Sequence, residues 1–396
     1  MTDKKIRTDA PAKAPPWNDP KIRALVFQVL VVIAVTAIGL YLVNNTLANM
    51  ESRGISTGFG FLSNESGFKI LFSLIDYDAT HTYGRTFLVG LLNTILVSIL
   101  GIFFATIVGF VMGVARLSSN WLISKVAMAY IEIFRNIPLL LQIFFWYFAV
   151  GINLPRPNQS IEFSGIAFLN NRGISLPRPV FEDFFWLTAV ALVVAIVASI
   201  VLAKWAHRRQ DQTGQQFPVY RTAAALIVGL PVIVYLLSGS PLSWEYPALK
   251  GFNFQGGITI LPELFSLVLA LTMYTGTFIA ETVRSGIQAV AHGQTEAARA
   301  LGLRETPVLR LIIIPQAMRV IIPPLTSQYL NLTKNSSLAA AIGYPDLVAV
   351  FAGTTLNQTG QAVEIIAMTM GVYLLLSLAI SLFMNWYNAK MMLMER

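Results

Sequence analysis

The sequence predicts an all-α polytopic membrane protein with about eight transmembrane helices. Three observations carry that prediction. Only 12% of the 396 residues are charged and 55% are hydrophobic, where a soluble domain carries about 25% charge. Several uncharged runs reach the roughly 20 apolar residues that a bilayer crossing needs. None of these runs alternates polar with apolar residues, as the strands of a transmembrane barrel do.

The elements follow in chain order. A polar, Pro-rich tail, 1–23, is expected to be cytoplasmic. The apolar run 24–43 is too long for the h-region of a signal peptide, and "YLVNNTLANMES" offers no small-x-small cleavage site. It reads as a retained first span, followed by a polar external loop at 44–86. Further spans are predicted at 87–115, 136–154, 184–203, 222–238, 258–282, 315–335 and 362–386, with a tail at 387–396. The run 315–335 is the weakest, because Arg319, Pro323, Pro324 and Lys334 interrupt it. Without it the count falls to seven and the C-terminus changes sides. Residues 151–257 read as an insertion: two plain hydrophobic spans flanked by external loops, suited to lipid or packing contacts.

Charge distribution tests the eight-span order. With the N-terminus inside, the inside segments hold 20 of the 28 Lys and Arg. That asymmetry favours both termini in the cytoplasm. The net charge of +8 sits at span ends rather than on a soluble domain, so no nucleic-acid partner is expected. The chain has no cysteine and three scattered histidines, which gives a metal site no support.

One stretch departs from its greasy surroundings: "EAARALGLRETPVLRLIIIPQA", 296–317, on the cytoplasmic side in this topology. Gly293 or Thr295 is expected to cap a first short helix, with Glu296 in its first turn, where the helix dipole favours a carboxylate. Ala297, Ala298 and Ala300 keep its side chains small. Gly302 suits a left-handed helix end. Thr306 and Pro307 are expected to restart a helix as N-cap and first residue, and Pro315 marks the start of the next span. Local physics alone leaves open an ordinary amphipathic loop.

The spacing Glu296-Ala297-Ala298, Gly302, then Ile312-Ile313-Ile314-Pro315 resembles the "EAA" signature of ABC importer permeases, with Ile314 where leucine is commoner. The stretches 90–118, 130–148, 275–303 and 315–348 resemble the polar amino-acid uptake branch of those permeases. The inserted spans and the long first loop are similar to the larger permease of bacterial general L-amino acid systems. The resemblance implies a type-1 permease core over 88–386, with a cytoplasmic coupling segment at 284–314. Glu296, Ala297, Ala298 and Gly302 would meet a separate ATPase, and Pro315 would follow them into the next span. It implies an inner-membrane location, two ATP-binding subunits, a periplasmic substrate-binding protein and a second, related permease chain. No lysine follows a glycine, so the chain lacks a P-loop. ATP and Mg are expected on the ATPase, with no cofactor and no catalytic role on this chain.

Other candidate residues rest on burial cost. Lys334 lies near the outer half of its span beside Asn331, Asn335, Ser336 and Ser337, where it suits a substrate carboxylate, a snorkelling lysine or a structural gate. Asn93, Gln142, Tyr274, Thr277 and Gln328 are uncharged polar residues in spans and candidates to line a path; such residues also bond neighbouring helices. Glu132 and Arg135 precede Pro138, which disfavours helical geometry at Ile137, so a surface helix is expected to break there. With Glu281 and Arg284 they are candidate gate or interfacial groups. Gly101, Ala105, Gly109 and Gly113 recur every four residues, a small-residue face for close helix packing. An ion-coupled secondary transporter is the alternative function. It would need mid-membrane charges and repeated halves, and neither is evident.

Overall fold

The computed structural model describes residues 19–52 and 57–391. Among them, seven helices are long and apolar enough to cross a membrane, or eight counting one bent pair, in the predicted order. The first, α1 (Pro20–Ser52), starts where Asp19 Oδ1 accepts from the Lys21 N–H at 2.9 Å and Pro20 takes the first helical position. It therefore outruns the predicted 24–43 at both ends. Its apolar side chains, among them Phe27, Val31 and Ile38, are exposed along its length. Most of the predicted 1–23 tail lies outside the described residues.

α2 (Tyr83–Arg116) is capped by Thr82 and α3 (Trp121–Asn136) by Asn120, whose Oδ1 accepts from the N–H groups of Leu122 and Ile123. α3 ends where Ile137 turns extended (φ −95°, ψ 127°) ahead of Pro138. α4 (Leu139–Phe144) runs on through a π-helical turn, Phe145–Gly151. The two halves meet at 105°. The break at Pro138 is as expected, but 136–154 is no straight span. Only the 13 residues Leu139–Gly151 continue beyond it, too few to cross alone.

The insertion holds the two predicted helices, but the loops that flank them are not irregular. Its loops carry eight short strands: β1 (Ile161–Phe163), β2 (Ala167–Asn170), β3 (Gly173–Leu176) and β4 (Arg178–Phe181) before α5 (Phe185–Thr213) and α6 (Val219–Leu237), then β5 (Leu242–Glu245), β6 (Ala248–Lys250), β7 (Asn253–Gln255) and β8 (Ile258–Ile260). β1-β2-β3-β8 form one antiparallel sheet, with Ile174 opposite Ile260; β4–β5 and β6–β7 form two-stranded ribbons. The β3–β8 pairing closes the insertion onto the start of α7 (Pro262–Gln288). Residues 258–260 are thus strand, and the predicted span 258–282 shifts toward the C-terminus. Period-2 patterning over three or four residues is too short to read in advance.

α8 (His292–Ala300) and α9 (Glu305–Val308) follow, then a π turn (Leu309–Ile313) feeding α10 (Ile314–Asn335). Pro315 has no N–H to give Leu311, and the π turn just before it absorbs that loss. The weakest predicted span is therefore part of one long helical path that passes through Pro323 and Pro324 and ends in a 3₁₀ turn, Ser336–Ile342. The segment before α12 (Ala362–Met391), expected to be outside loop, is instead a π turn (Val348–Thr355) and α11 (Leu356–Thr359). Tyr344, Asp346, Leu347 and Phe351 in it are fully buried. α12 runs to Met391, so the predicted tail at 387 begins inside helix; 392–396 lie outside the described residues.

Lipid tails are as apolar as leucine, so helix contact here depends on fit. The α2 small-residue face provides it. A Cβ on Gly109 would overlap Ile279 Cγ2, and one on Gly113 would stand 2.6 Å from the Ala280 carbonyl. Gly101 meets Leu332 and Gly286 meets Ile321 in the same way. α2, α7, α10 and α12 share this core, with α3 stapled on by Tyr130, whose hydroxyl donates to the Met273 carbonyl at 2.8 Å.

Candidate functional site

At the end of the bundle away from the strands, α8 stands out as a short polar helix between two long apolar ones. It begins at His292 with Ala291 at the cap position and no side-chain cap, so the expected caps, Gly293 or Thr295, both lie inside it. Its end is as the glycine demands. Gly302 adopts φ +75°, its N–H donates to the Arg299 carbonyl at 2.9 Å, and the Leu303 N–H donates to the Ala298 carbonyl at 3.2 Å. α9 then starts at Glu305, with Arg304 at the N-cap position, so Thr306 and Pro307 lie inside it rather than capping it. Arg299 bridges the turn to Glu305 with N···O separations of 3.0 and 2.9 Å. Both partners are largely exposed, so the pair contributes at most about 1 kcal/mol.

The four signature residues divide by environment. Glu296, Ala297 and Gly302 are exposed, while Ala298 is buried where α8 packs on α9 and the π turn before α10. Leu301, absent from the sequence-based candidates, is 81% exposed at the tip beside Gly302. The result is a small-residue face with one protruding apolar side chain, held at a fixed angle by the two turns. Pro315 is half-buried just inside α10.

Deeper in the bundle, α10 has two unlike faces. Ile321, Ile322, Leu325 and Leu332 are buried in the core. Val320, Pro324, Ser327, Asn331 and Lys334 are exposed, at alternating steps of four and three residues, which is one helix face. Gln328 lies half-buried at its edge. Lys334 has no ion-pair partner among the described residues. A lipid-facing ammonium and amide at this depth would be costly.

The other uncharged candidates lie on other helices, and three of them donate to backbone carbonyls. Asn93 is fully buried, and its Nδ2 donates to the Pro345 carbonyl at 2.8 Å and the Phe72 carbonyl at 3.0 Å. Thr94 accepts from the Leu347 N–H at 3.0 Å. Together they fasten the buried 343–347 segment to α2. Gln142 Nε2 donates to the carbonyls of Phe134 and Ile137 at 2.8 and 2.9 Å, which repairs the backbone break before Pro138. Thr277 is buried and bonds the Tyr274 carbonyl at 2.7 Å, and Tyr274 stacks edge-on against Phe278. Asp346, also absent from the candidates, is buried where its Oδ1 accepts from the Ala349 N–H at 2.8 Å, opening the π turn. A single proline-aspartate pair gives no advance sign of that depth.

The candidate edge charges partly converge. Glu281 and Arg284 form an ion pair one turn apart on α7. The Arg135 guanidinium lies 5.7 Å from the Phe278 ring centroid, so the end of α3 meets α7 beside that pair. Glu132 stays with its own helix, near Asn136.

Comparison with known proteins fits this arrangement. The family model described as the inner-membrane component of binding-protein-dependent transport systems matches residues 217–393. The putative amino-acid ABC transporter permease protein YhdX of Escherichia coli K12 is 57% identical over 380 residues, covering 96% of this chain and 97% of that protein. The chain belongs to the ABC importer permease family. Another member, the general L-amino acid transport system permease protein AapQ of Rhizobium johnstonii, is 53% identical, covering 96% and 94% of the two chains. The glutamate/glutamine/aspartate/asparagine permease BztB of Rhodobacter capsulatus is 41% identical over 96% of each. Among solved structures, an amino acid ABC transporter crystallised with histidines aligns over 78% of this permease and 95% of that chain, at TM-score 0.46 and 20% identity. The permease is thus a multi-pass inner-membrane translocation subunit rather than an enzyme, in a family that works with ATPase and substrate-binding partners. The ion-coupled alternative is left without support.

Proposed function

We propose that this permease carries L-amino acids along the polar face of α10, with Lys334 and Asn331 receiving the substrate carboxylate and Gln328 bordering the same path. The observation that carries this reading is the exposed Ser327–Asn331–Lys334 stripe on a helix whose opposite face is core. A second, related permease chain would supply the facing wall. A periplasmic binding protein would deliver substrate at the strand-bearing end. Two ATPase subunits, holding ATP and Mg, would grip the exposed Glu296, Ala297, Leu301 and Gly302 and move α10 through the α8–α9 turns. Both termini then lie in the cytoplasm, in keeping with the Lys and Arg distribution. Arg135, Glu281 and Arg284 sit at the inner mouth as structural gate groups.

Uptake by the reconstituted transporter tests the path. Lys334→Ala is expected to raise the KM for amino-acid uptake roughly tenfold, about 1.4 kcal/mol, with the subunits still assembled. An unchanged KM would remove Lys334 from the path.

A further inference from the structure

The hairpin α5–α6 packs on itself and only sparsely on the core helices. Along α5 lies an open groove of about 630 Å³, lined by Val193, Val197, Val201, Leu202 and Trp205 of α5 and edged by Leu226 of α6. Two exposed tryptophans, Trp186 and Trp205, stand 19 residues apart on α5. At about 1.5 Å per residue that separation is roughly 29 Å, close to the roughly 30 Å hydrocarbon thickness between aromatic belts. Trp205 thus marks one membrane surface, and the groove runs inward from it for roughly 18 Å over Val193–Trp205. That is about the depth of one leaflet.

The surface end of the groove is basic. In helical projection Lys204 and Arg208 continue the Val193–Val197–Val201 stripe, and Arg221 lies near the start of α6. All three side chains are exposed and have no ion-pair partner among the described residues. Asp211 is the one acidic residue on this connection. Trp205 is held in place by Phe217, edge-on at 5.5 Å, and by Arg209, whose guanidinium lies 5.4 Å from the indole. Arg209 in turn donates to Gln215 at 2.9 Å.

We propose that this groove binds one anionic phospholipid, with an acyl chain along Val193–Leu202 and its phosphate among Lys204, Arg208 and Arg221. A groove one leaflet deep, apolar throughout and ending in unpaired cations at the level of a fixed tryptophan, complements such a lipid in length and in charge. The inference rests on α5 and α6 spanning the membrane, not on which amino acid is carried.

Native mass spectrometry of the assembled transporter tests it, after exchange into detergent containing equal phosphatidylglycerol and phosphatidylcholine. The unaltered transporter is expected to retain phosphatidylglycerol in preference. Each basic residue near an anionic headgroup contributes roughly fivefold in affinity. The double variant Lys204→Gln/Arg208→Gln should therefore lose it by on the order of twentyfold, while Arg208→Lys keeps it. Val197→Trp, which fills the groove and leaves the charges, should lose it as well. Retention in both disabled variants would overturn the proposal. So would loss with the charge variant alone, which is surface attraction without a built groove. Unchanged lipid with loss of the ATPase subunits would make the basic end a protein contact instead.

Discussion

Asn93 and Gln142 carry the same chemistry and were equal candidates for the path, yet both amide NH2 groups donate to backbone carbonyls, and only their buried oxygens are left without a partner. The sequence shows that a polar group is buried in a span; it does not show whether that group faces substrate or another helix. Here partner geometry decides. Replacing Asn93 by Leu strands the carbonyls of Pro345 and Phe72, and leaving a buried acceptor unsatisfied costs about 1–3 kcal/mol. Asn93→Leu should therefore lower the melting temperature of the purified transporter, with little change in KM for the fraction that stays folded. A KM shift without loss of stability would return Asn93 to the path. Lys334 separates from these residues because its face of α10 lies open, which no single-sequence argument reveals. Ala298 and Leu301 make the same point. The signature marks Ala298, but the fold turns it inward and presents Leu301.

Helix existence and order were legible because runs of 20 uncharged residues leave few other solutions. Boundaries were less so. Caps at Asp19, Thr82 and Asn120 follow the expected chemistry, while α8 starts without one and α9 starts two residues ahead of Pro307. The small-residue stripe of α2 was readable as packing, and the structure shows how tight that packing is. A methyl on Gly113 would press on the Ala280 carbonyl and on Val283 Cβ at 2.8 Å. Overpacking of this kind costs about 1–3 kcal/mol, so Gly113→Ala should lower the thermal midpoint in detergent. The same change at Gly229, inside α6 with nothing within 4 Å, should not lower it, because the added methyl meets no atom and alanine favours the helix. At Gly302 the constraint is backbone rather than space. Gly302→Val places a branched residue at φ +75°, a cost of about 1–2 kcal/mol or more. That variant should insert normally yet uncouple ATP hydrolysis from uptake.

At the scale of the whole molecule, the charge pattern and a count of eight crossings, with the bent α3–α4 pair taken as one of them, make one claim about sidedness. Reporter fusions check it: a fluorescent protein at the C-terminus should be bright and an alkaline phosphatase there inactive. The reverse would invert the arrangement and put α8 on the wrong side for an ATPase. Two features stayed hidden in the sequence for opposite reasons. The strands of the insertion are too short to show a period. The 336–361 segment looks like loop because its helical pieces are 3₁₀ and π turns, and only its contacts with Asn93 and Thr94 reveal how deep it lies.

The central claim is that the exposed face of α8 is where an ATPase takes hold. The native chain has no cysteine, so a single introduced thiol reports without background. Ala297→Cys should react with a soluble maleimide in the isolated permease and be protected once the ATPase subunits are bound. Labelling at the same rate in the assembled transporter would contradict the claim.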